Sequence, residues 1–323
     1  MKRTLLFLYI LSVMCTSTYA QTEIHNTMFM FNKLAYNPAY AGSREVTSIS
    51  GYYRDQWSAI DGAPKTYGAT FDAPLGNRSS SFRELAMGLV FSNEQIGVER
   101  KQNITGYYSF RFKLKNETIM ALGLNAGVQL YSANYATLNP FHQNDPNLAK
   151  DVNSALLPNF GTGFFWYNDD FYLGGSIPNI IQNYYDKNEK YTNKYRARQV
   201  RGYYLNGGYV FHANESFDVL PQGMVRYTGD GTYQLPINCD INLSFIFVKR
   251  FLLGVTYRTD KSFEGIVQMQ VTKNINLGYS YDYLLSGLSG YNNGAHEIVI
   301  GYDFNRHRDE YSPYEKPHFA KLF

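Results

Sequence analysis

The chain has little of what usually marks an exported enzyme or a helical membrane protein. Only two of its 323 residues are cysteine. Cys15 lies in what reads as an export leader, so Cys239 is left alone in the mature chain and no intramolecular disulfide can form. No run of 18 apolar residues follows the leader, which excludes helical membrane spans. Charge of either sign is not in excess. Without the leader's Lys2 and Arg3, the 30 Lys and Arg fall to 28, against 27 Asp and Glu. A nucleic-acid binder would show a basic excess, so nucleic acid is excluded as a partner. The six histidines are scattered and none stands at metal-ligand spacing from Cys239 or from another histidine. No Gly-x-Ser-x-Gly elbow and no phosphate-binding glycine loop with its lysine occurs, and Gly174-Gly175-Ser176 reads as glycine near a strand end. The expectation is no catalytic residue, no cofactor and no metal.

What is present is aromatic and alternating. Residues 1–20 have the form of a signal peptide: Lys2 and Arg3, an apolar stretch from Leu5 to Val13, then Thr18-Tyr19-Ala20 before Gln21. Ser12-Val13-Met14 lacks the small residue that a lipoprotein signal places before its cysteine, so cleavage after Ala20 is expected. Beyond it come 30 Tyr, 22 Phe and 27 scattered Gly. The period of the pattern is two. In 274–283, Ile275, Leu277, Tyr279, Tyr281 and Tyr283 alternate with Asn274, Asn276, Gly278, Ser280 and Asp282. The runs 237–247 and 296–304 behave alike, as strands with one apolar and one polar face. No stretch of comparable length has a helical period, so the chain is all-β.

The chain holds roughly fourteen such runs of about 10 residues, the length a tilted transmembrane strand requires. Short connections (115–117, 168–169, 213–214, 249–250, 273–274) alternate with long ones (133–156, 178–198, 285–294), with exceptions such as 76–83. Two architectures are open. A soluble sandwich or propeller would bury the tyrosine-rich faces; a transmembrane up-and-down antiparallel β-barrel of about 14 strands would turn them toward lipid. Loop asymmetry, an even strand count, aromatics near strand ends and no repeat of propeller length favour the barrel. Its interior face would then carry Arg54, Asp72, Arg111, Glu264, Gln268 and Gln270, hydrated or bonded to one another.

Ahead of the first strand stands Asn37-Pro38-Ala39-Tyr40-Ala41-Gly42. Proline fixes φ and holds its predecessor extended, while glycine tolerates a turn's special dihedrals. Tyr40 between two alanines suits a narrow packing site. With the preceding "FMFNKLAY", the stretch is expected to fix the N-terminal segment at one mouth of the barrel, partly inside it. "NKLAYNPAYAGS", then "RDQWSAIDGAPKTYGATFDAPL" from Arg54 to Leu75, resembles the opening of the PorP/SprF family of type IX secretion proteins. The matching elements are Asn37, Pro38, Tyr40 and Gly42, then Arg54, Gln56 and Trp57, then Pro64. Arg54, Gln56 and Trp57 are expected on the first strand, Arg54 and Gln56 facing the lumen and Trp57 opposite, as an interfacial aromatic at the strand's far end. "LPNFGTGFFWYNDDFYLGGSIPN" and the closing "HEIVIGYDF" look like further family elements.

The resemblance implies a non-enzymatic outer-membrane barrel of Bacteroidetes-type bacteria. It implies partners among the periplasmic and outer-membrane components of type IX secretion, and a cognate secreted surface protein such as an adhesin or gliding-type cargo. Outer-membrane lipids would surround it. The alternatives are a passive transporter of porin type and an outer-membrane hydrolase. The expected organisation is a signal peptide (1–20), a periplasmic-side segment (21–45), the barrel (46–305) and a C-terminal tail (306–323).

Overall fold

The computed structural model describes residues 30–75, 84–114, 118–138, 151–185, 198–229, 236–285 and 290–304. The leader, the C-terminal tail and the connection 76–83 lie outside the described residues.

Fifteen strand segments follow one another along the chain. They open with β1 (Thr47–Asp55), β2 (Lys65–Leu75), β3 (Leu85–Ile96), β4 (Glu99–Lys113) and β5 (Ile119–Ala133). Next come β6 (Val152–Tyr167), β7 (Phe171–Ile177), β8 (Gly202–Tyr209), β9 (Phe211–Asn214) and β10 (Phe217–Thr228). The last are β11 (Asn238–Phe247), β12 (Phe251–Arg258), β13 (Ser262–Gln270), β14 (Ile275–Leu284) and β15 (Ala295–Phe304). Segments β8 and β9 both pair with β10 and form one strand interrupted at Val210. Pro221, which has no N–H to donate, lies in β10 opposite that break. The Val210 N–H turns the other way, to the Asp170 carbonyl at 2.7 Å.

This makes fourteen antiparallel strands, each beside its neighbours in sequence. The ring closes where β1 pairs with β15 over nine residue pairs, from Thr47 with Phe304 to Asp55 with His296. Closure leaves no sheet edge along the ring, the condition for placing a sheet in lipid.

Burial runs opposite to that of a soluble protein. Leu124 is 63 % exposed and Ile241 64 %, whereas Glu264 and Asp303 are 0 %. On β5 the outward positions read Leu122, Leu124, Ala126, Val128 and Leu130, and the inward ones include Ala121, Gly123 and Asn125. An apolar exterior around a polar, filled interior excludes the soluble sandwich and defines a membrane barrel. The inward set expected from sequence holds: Arg54, Asp72, Arg111, Glu264 and Gln268 are all buried, and Gln270 is partly so.

One end of the barrel carries tight connections, such as Asn168–Asp170 and Glu215–Ser216. The opposite end carries the long segments after β5, β7 and β14, although two of its own connections, at Gly97–Val98 and 259–261, are short. These are the short-turn end and the long-loop end below.

Candidate functional site

The described residues before β1 do not hang outside the barrel. From Met30 to Arg44 they form a strap within the lumen, in its short-turn half. At Met30, the first residue described, the sulfur accepts a hydrogen bond from Gln222 Nε2 on β10 at 3.4 Å. One helical turn, α1 (Lys33–Tyr36), crosses the lumen, and the side chain of Leu34 reaches the wall at Gly88 on β3.

A 3-10 turn, Pro38–Tyr40, follows, with Asn37 as its cap. The cap forms because the Asn37 side chain accepts from the Ala39 N–H at 3.0 Å while proline occupies the first position, where no N–H is needed. The other end of the Asn37 amide donates to the Phe164 carbonyl on β6 at 2.8 Å.

From there the chain runs around the inner wall, strand by strand. Ser176 on β7 donates to the Tyr36 carbonyl at 2.6 Å. Ser109 on β4 donates to the Ala41 carbonyl at 2.7 Å, and Arg111 on β4 donates to the Gly42 carbonyl. The Gly42 N–H donates to Asp72 on β2 at 2.9 Å, and Arg44 pairs with Asp303 on β15 at 2.7 Å. The wall makes room for this path with glycine. Gly123 on β5 and Gly163 on β6 are register partners, and a Cβ at Gly123 would overlap the backbone of Pro38 and Ala39. At Gly42, φ is +69° and a Cβ would overlap Ala86, so glycine is required there twice over.

Tyr40 is the apolar centre of the strap, buried edge-on against Phe165 with ring centroids 5.4 Å apart. With Met30, Leu34, Ala39 and Ala41 it joins Phe165, Tyr167, Tyr172, Leu220 and Met224 in the main apolar cluster. Lys33 is buried as well, its amine 4.9 Å from the Tyr172 ring and 5.6 Å from the Tyr40 ring. Burial, and secondarily Arg44, lower its pKa to about 7.

Diagonally across the lumen, toward the long-loop end, lies a second array. Seven consecutive strands each contribute one ionic residue: Arg226 (β10), Asp240 (β11), Arg258 (β12), Glu264 (β13), Asp282 (β14), Glu297 (β15) and Arg54 (β1). Arg54 bonds Asp282 at 2.7 Å and Glu297 at 3.2 Å. Arg258 bonds Asp240 at 3.1 Å and Glu264, and Arg226 bonds Asp240 at 2.9 Å. Glu264 and Asp282 are register neighbours, flanked on either side by an arginine. Each contact lies between strands of one wall, so the belt ties the last strands to the first.

The sequence-derived residues therefore separate into two groups. Asn37, Pro38, Tyr40 and Gly42 sit in the strap. Arg54, Gln56, Trp57 and Pro64 sit at the long-loop end. Strand β1 stops at Asp55, so Gln56 and Trp57 lie in the connection to β2 rather than on the strand. Trp57 has φ +54° and is partly buried, which corrects the expectation of an aromatic on the strand's outer face. The Gln56 N–H donates to the Pro64 carbonyl at 2.9 Å and closes that loop. The loop is clasped to its neighbours by Ser58 N–H to Gly294 O and by Gly97 N–H to Gly62 O.

Sequence reasoning missed the glycine trench and Ser109, Ser176 and Lys33. Strand parity could have found Gly123 and Gly163, since both fall on inward positions. Among the described residues, no group of three or more His, Cys, Asp or Glu side chains is arranged to hold a metal ion.

Fold and lumen together define an outer-membrane β-barrel whose interior is occupied by its own N-terminal strap. Residues 18–302 match the family model described as type IX secretion system membrane protein PorP/SprF, and the chain belongs to that family. No curated protein matches the chain. Among solved structures it is similar to the outer membrane protein Omp33 of Acinetobacter baumannii, at 8 % identity and a TM-score of 0.40, covering 80 % of this chain and 98 % of that one. It is also similar to the KdgM porin, at 9 % identity and a TM-score of 0.38, covering 80 % and 99 %. Outer membrane phospholipase A from Escherichia coli matches at 12 % identity and a TM-score of 0.37, covering 84 % and 98 %. The assignment as a closed barrel rests on this chain's own ladders.

Proposed function

We propose that the protein works without catalysis as a docking and anchoring barrel of type IX secretion, supporting export and surface attachment of a cognate secreted protein of adhesin or gliding type. Its partners would be periplasmic and outer-membrane components of the secretion system, that cargo, and the surrounding outer-membrane lipids. The observation that carries this reading is the filled lumen. A strap seated on eight strands (β2 to β7, β10 and β15) by hydrogen bonds, an ion pair or a glycine, together with a buried ionic belt, suits a scaffold better than a solute channel.

In this reading the short-turn end faces the periplasm. Asn37, Pro38, Tyr40 and Gly42 hold the N-terminal segment at that mouth, while Arg54, Gln56, Trp57 and Pro64 fix the shape of the first long-end loop. Deletion of the gene is the test. The expected result is a surface protein retained inside the cell with solute uptake unchanged. Normal surface display with impaired uptake of a solute would instead favour a transporter. Tags placed in 133–156 or 178–198 should be reachable on intact cells, and tags at 115–117 or 249–250 should not. The reverse labelling would invert the orientation.

A further inference from the structure

We infer that the strap is a releasable plug: the barrel can let go of residues Met30 to Arg44 without unfolding, and their departure opens the lumen along β2 to β7. Three observations carry this beyond the docking role, and none depends on it. First, the wall is complete without the strap. Each of β2 to β7 is laddered to a neighbour on both sides, and the strap adds no strand to any of them. The barrel's backbone hydrogen bonds therefore survive its loss.

Second, the strap's polar anchors are of a kind that exchanges with water: hydrogen bonds from Ser109, Arg111 and Ser176 to its carbonyls, those of Asn37, Gly42 and Met30 to the wall, and one ion pair, Arg44 with Asp303. The apolar packing of Met30, Leu34 and Tyr40 is what release has to overcome. Third, the surface it would leave behind is mixed: Gly123, Gly163, Ser109, Ser176, Arg111 and Asp72 are small or polar, beside the apolar Phe165, Tyr167 and Tyr172. The small and polar part of that lining accepts water. The ionic belt on the opposite wall has the contrary character, since its bonds run from strand to strand and stay with the barrel.

The test compares full-length protein with Gly123→Leu in planar lipid bilayers, with gel mobility before and after heating to verify a closed barrel. A leucine there overlaps the backbone of Pro38 and Ala39. The wild type is expected to be closed most of the time and Gly123→Leu to conduct steadily. A folded Gly123→Leu barrel as tight as wild type, or a wild type that conducts continuously, overturns the inference. Should that variant fail to fold, thiol labelling decides on a Cys239→Ser background. Ala41→Cys in the strap and Thr256→Cys on the far wall start equally buried, both at 0 % exposure. Release predicts that the strap cysteine reacts about tenfold faster or more, as expected for local opening within a folded barrel. Equal rates overturn it.

Discussion

The two sides of the lumen fill the same kind of space by opposite means. Along β2 to β7 the filling is a separate stretch of chain: a strap, with its own buried side chains, laid into a trench where Gly123 and Gly163 have no side chain to offer. Along β10 to β15 and β1 the filling is side chain: three arginines and four carboxylates bonded from strand to strand. The first side depends on shape and tolerates no added atoms. The second depends on charge pairing and tolerates no missing partner. The difference teaches that one wall is built to be occupied and the other to be tied together.

The largest effect should come from breaking the belt. Arg54→Ala or Arg258→Ala leaves buried carboxylates without a cation, a loss typically of about 3–5 kcal/mol. The expected outcome is a folded fraction that collapses at lower denaturant, read as loss of the fast-migrating band on unheated gels. Replacing Arg54, Asp282 and Glu297 together with apolar residues of similar size should restore much of that loss. If the triple variant is as unstable as Arg54→Ala, the belt does more than pair charges.

Next in size is the strap's anchor. Tyr40→Ala removes a buried aromatic worth roughly 1.5–3 kcal/mol of transfer free energy. Strap release should rise while the barrel's own midpoint moves less. A Tyr40→Ala protein whose strap stays as protected as wild type would mean that the 3-10 turn and the glycine trench suffice alone.

The effect of pH on the strap sharpens the same comparison. Lys33 has a pKa near 7 when seated, against an ordinary value of 10.5, because burial and then Arg44 oppose its charge. Between those two values the released state binds more protons than the seated one, so seating strengthens as pH rises from about 7 to about 10.5. Below about 7 both states carry the charge and the slope vanishes. Lys33→Met should abolish the slope, measured as labelling of Ala41→Cys relative, at each pH, to that of the same protein unfolded in denaturant, which removes the thiol's own ionisation. Persistence of the slope would assign it to another group. The smallest effect is expected for Cys239→Ser, a partly exposed position with no disulfide to lose, checked by an unchanged unfolding midpoint.

Much of this contrast was legible in the sequence, but unevenly. Period-two runs such as 274–283 gave both faces, because parity along a strand is a local property. Asn37 to Gly42 could be read as a turn with a packed tyrosine, since proline, glycine and a flanked aromatic each act locally, but the Asn37 cap could not. The belt was half visible: Arg54 and Glu264 could be assigned inward, but Arg54 meets Asp282 and Glu297 from 228 and 243 residues away. Only the closing register of β1 with β15 brings them together. The extent of β1 was misjudged at Gln56 and Trp57, where a positive φ ends the strand and leaves no mark in the alternation. The break at Val210 escaped because its cause, Pro221, lies in the neighbouring strand.

Cysteine trapping of the strap against its wall tests the central claim most directly. On a Cys239→Ser background, the pair Ala41→Cys and Ser109→Cys joins the strap to β4, where the serine hydroxyl and the Ala41 carbonyl lie 2.7 Å apart. The pair Ala41→Cys and Thr256→Cys joins the strap to the belt wall. Mild oxidation should crosslink the first pair and not the second in barrels that remain heat-modifiable. Crosslinking of the second pair in preference, or of neither in a folded barrel, would contradict a strap laid along the inner wall.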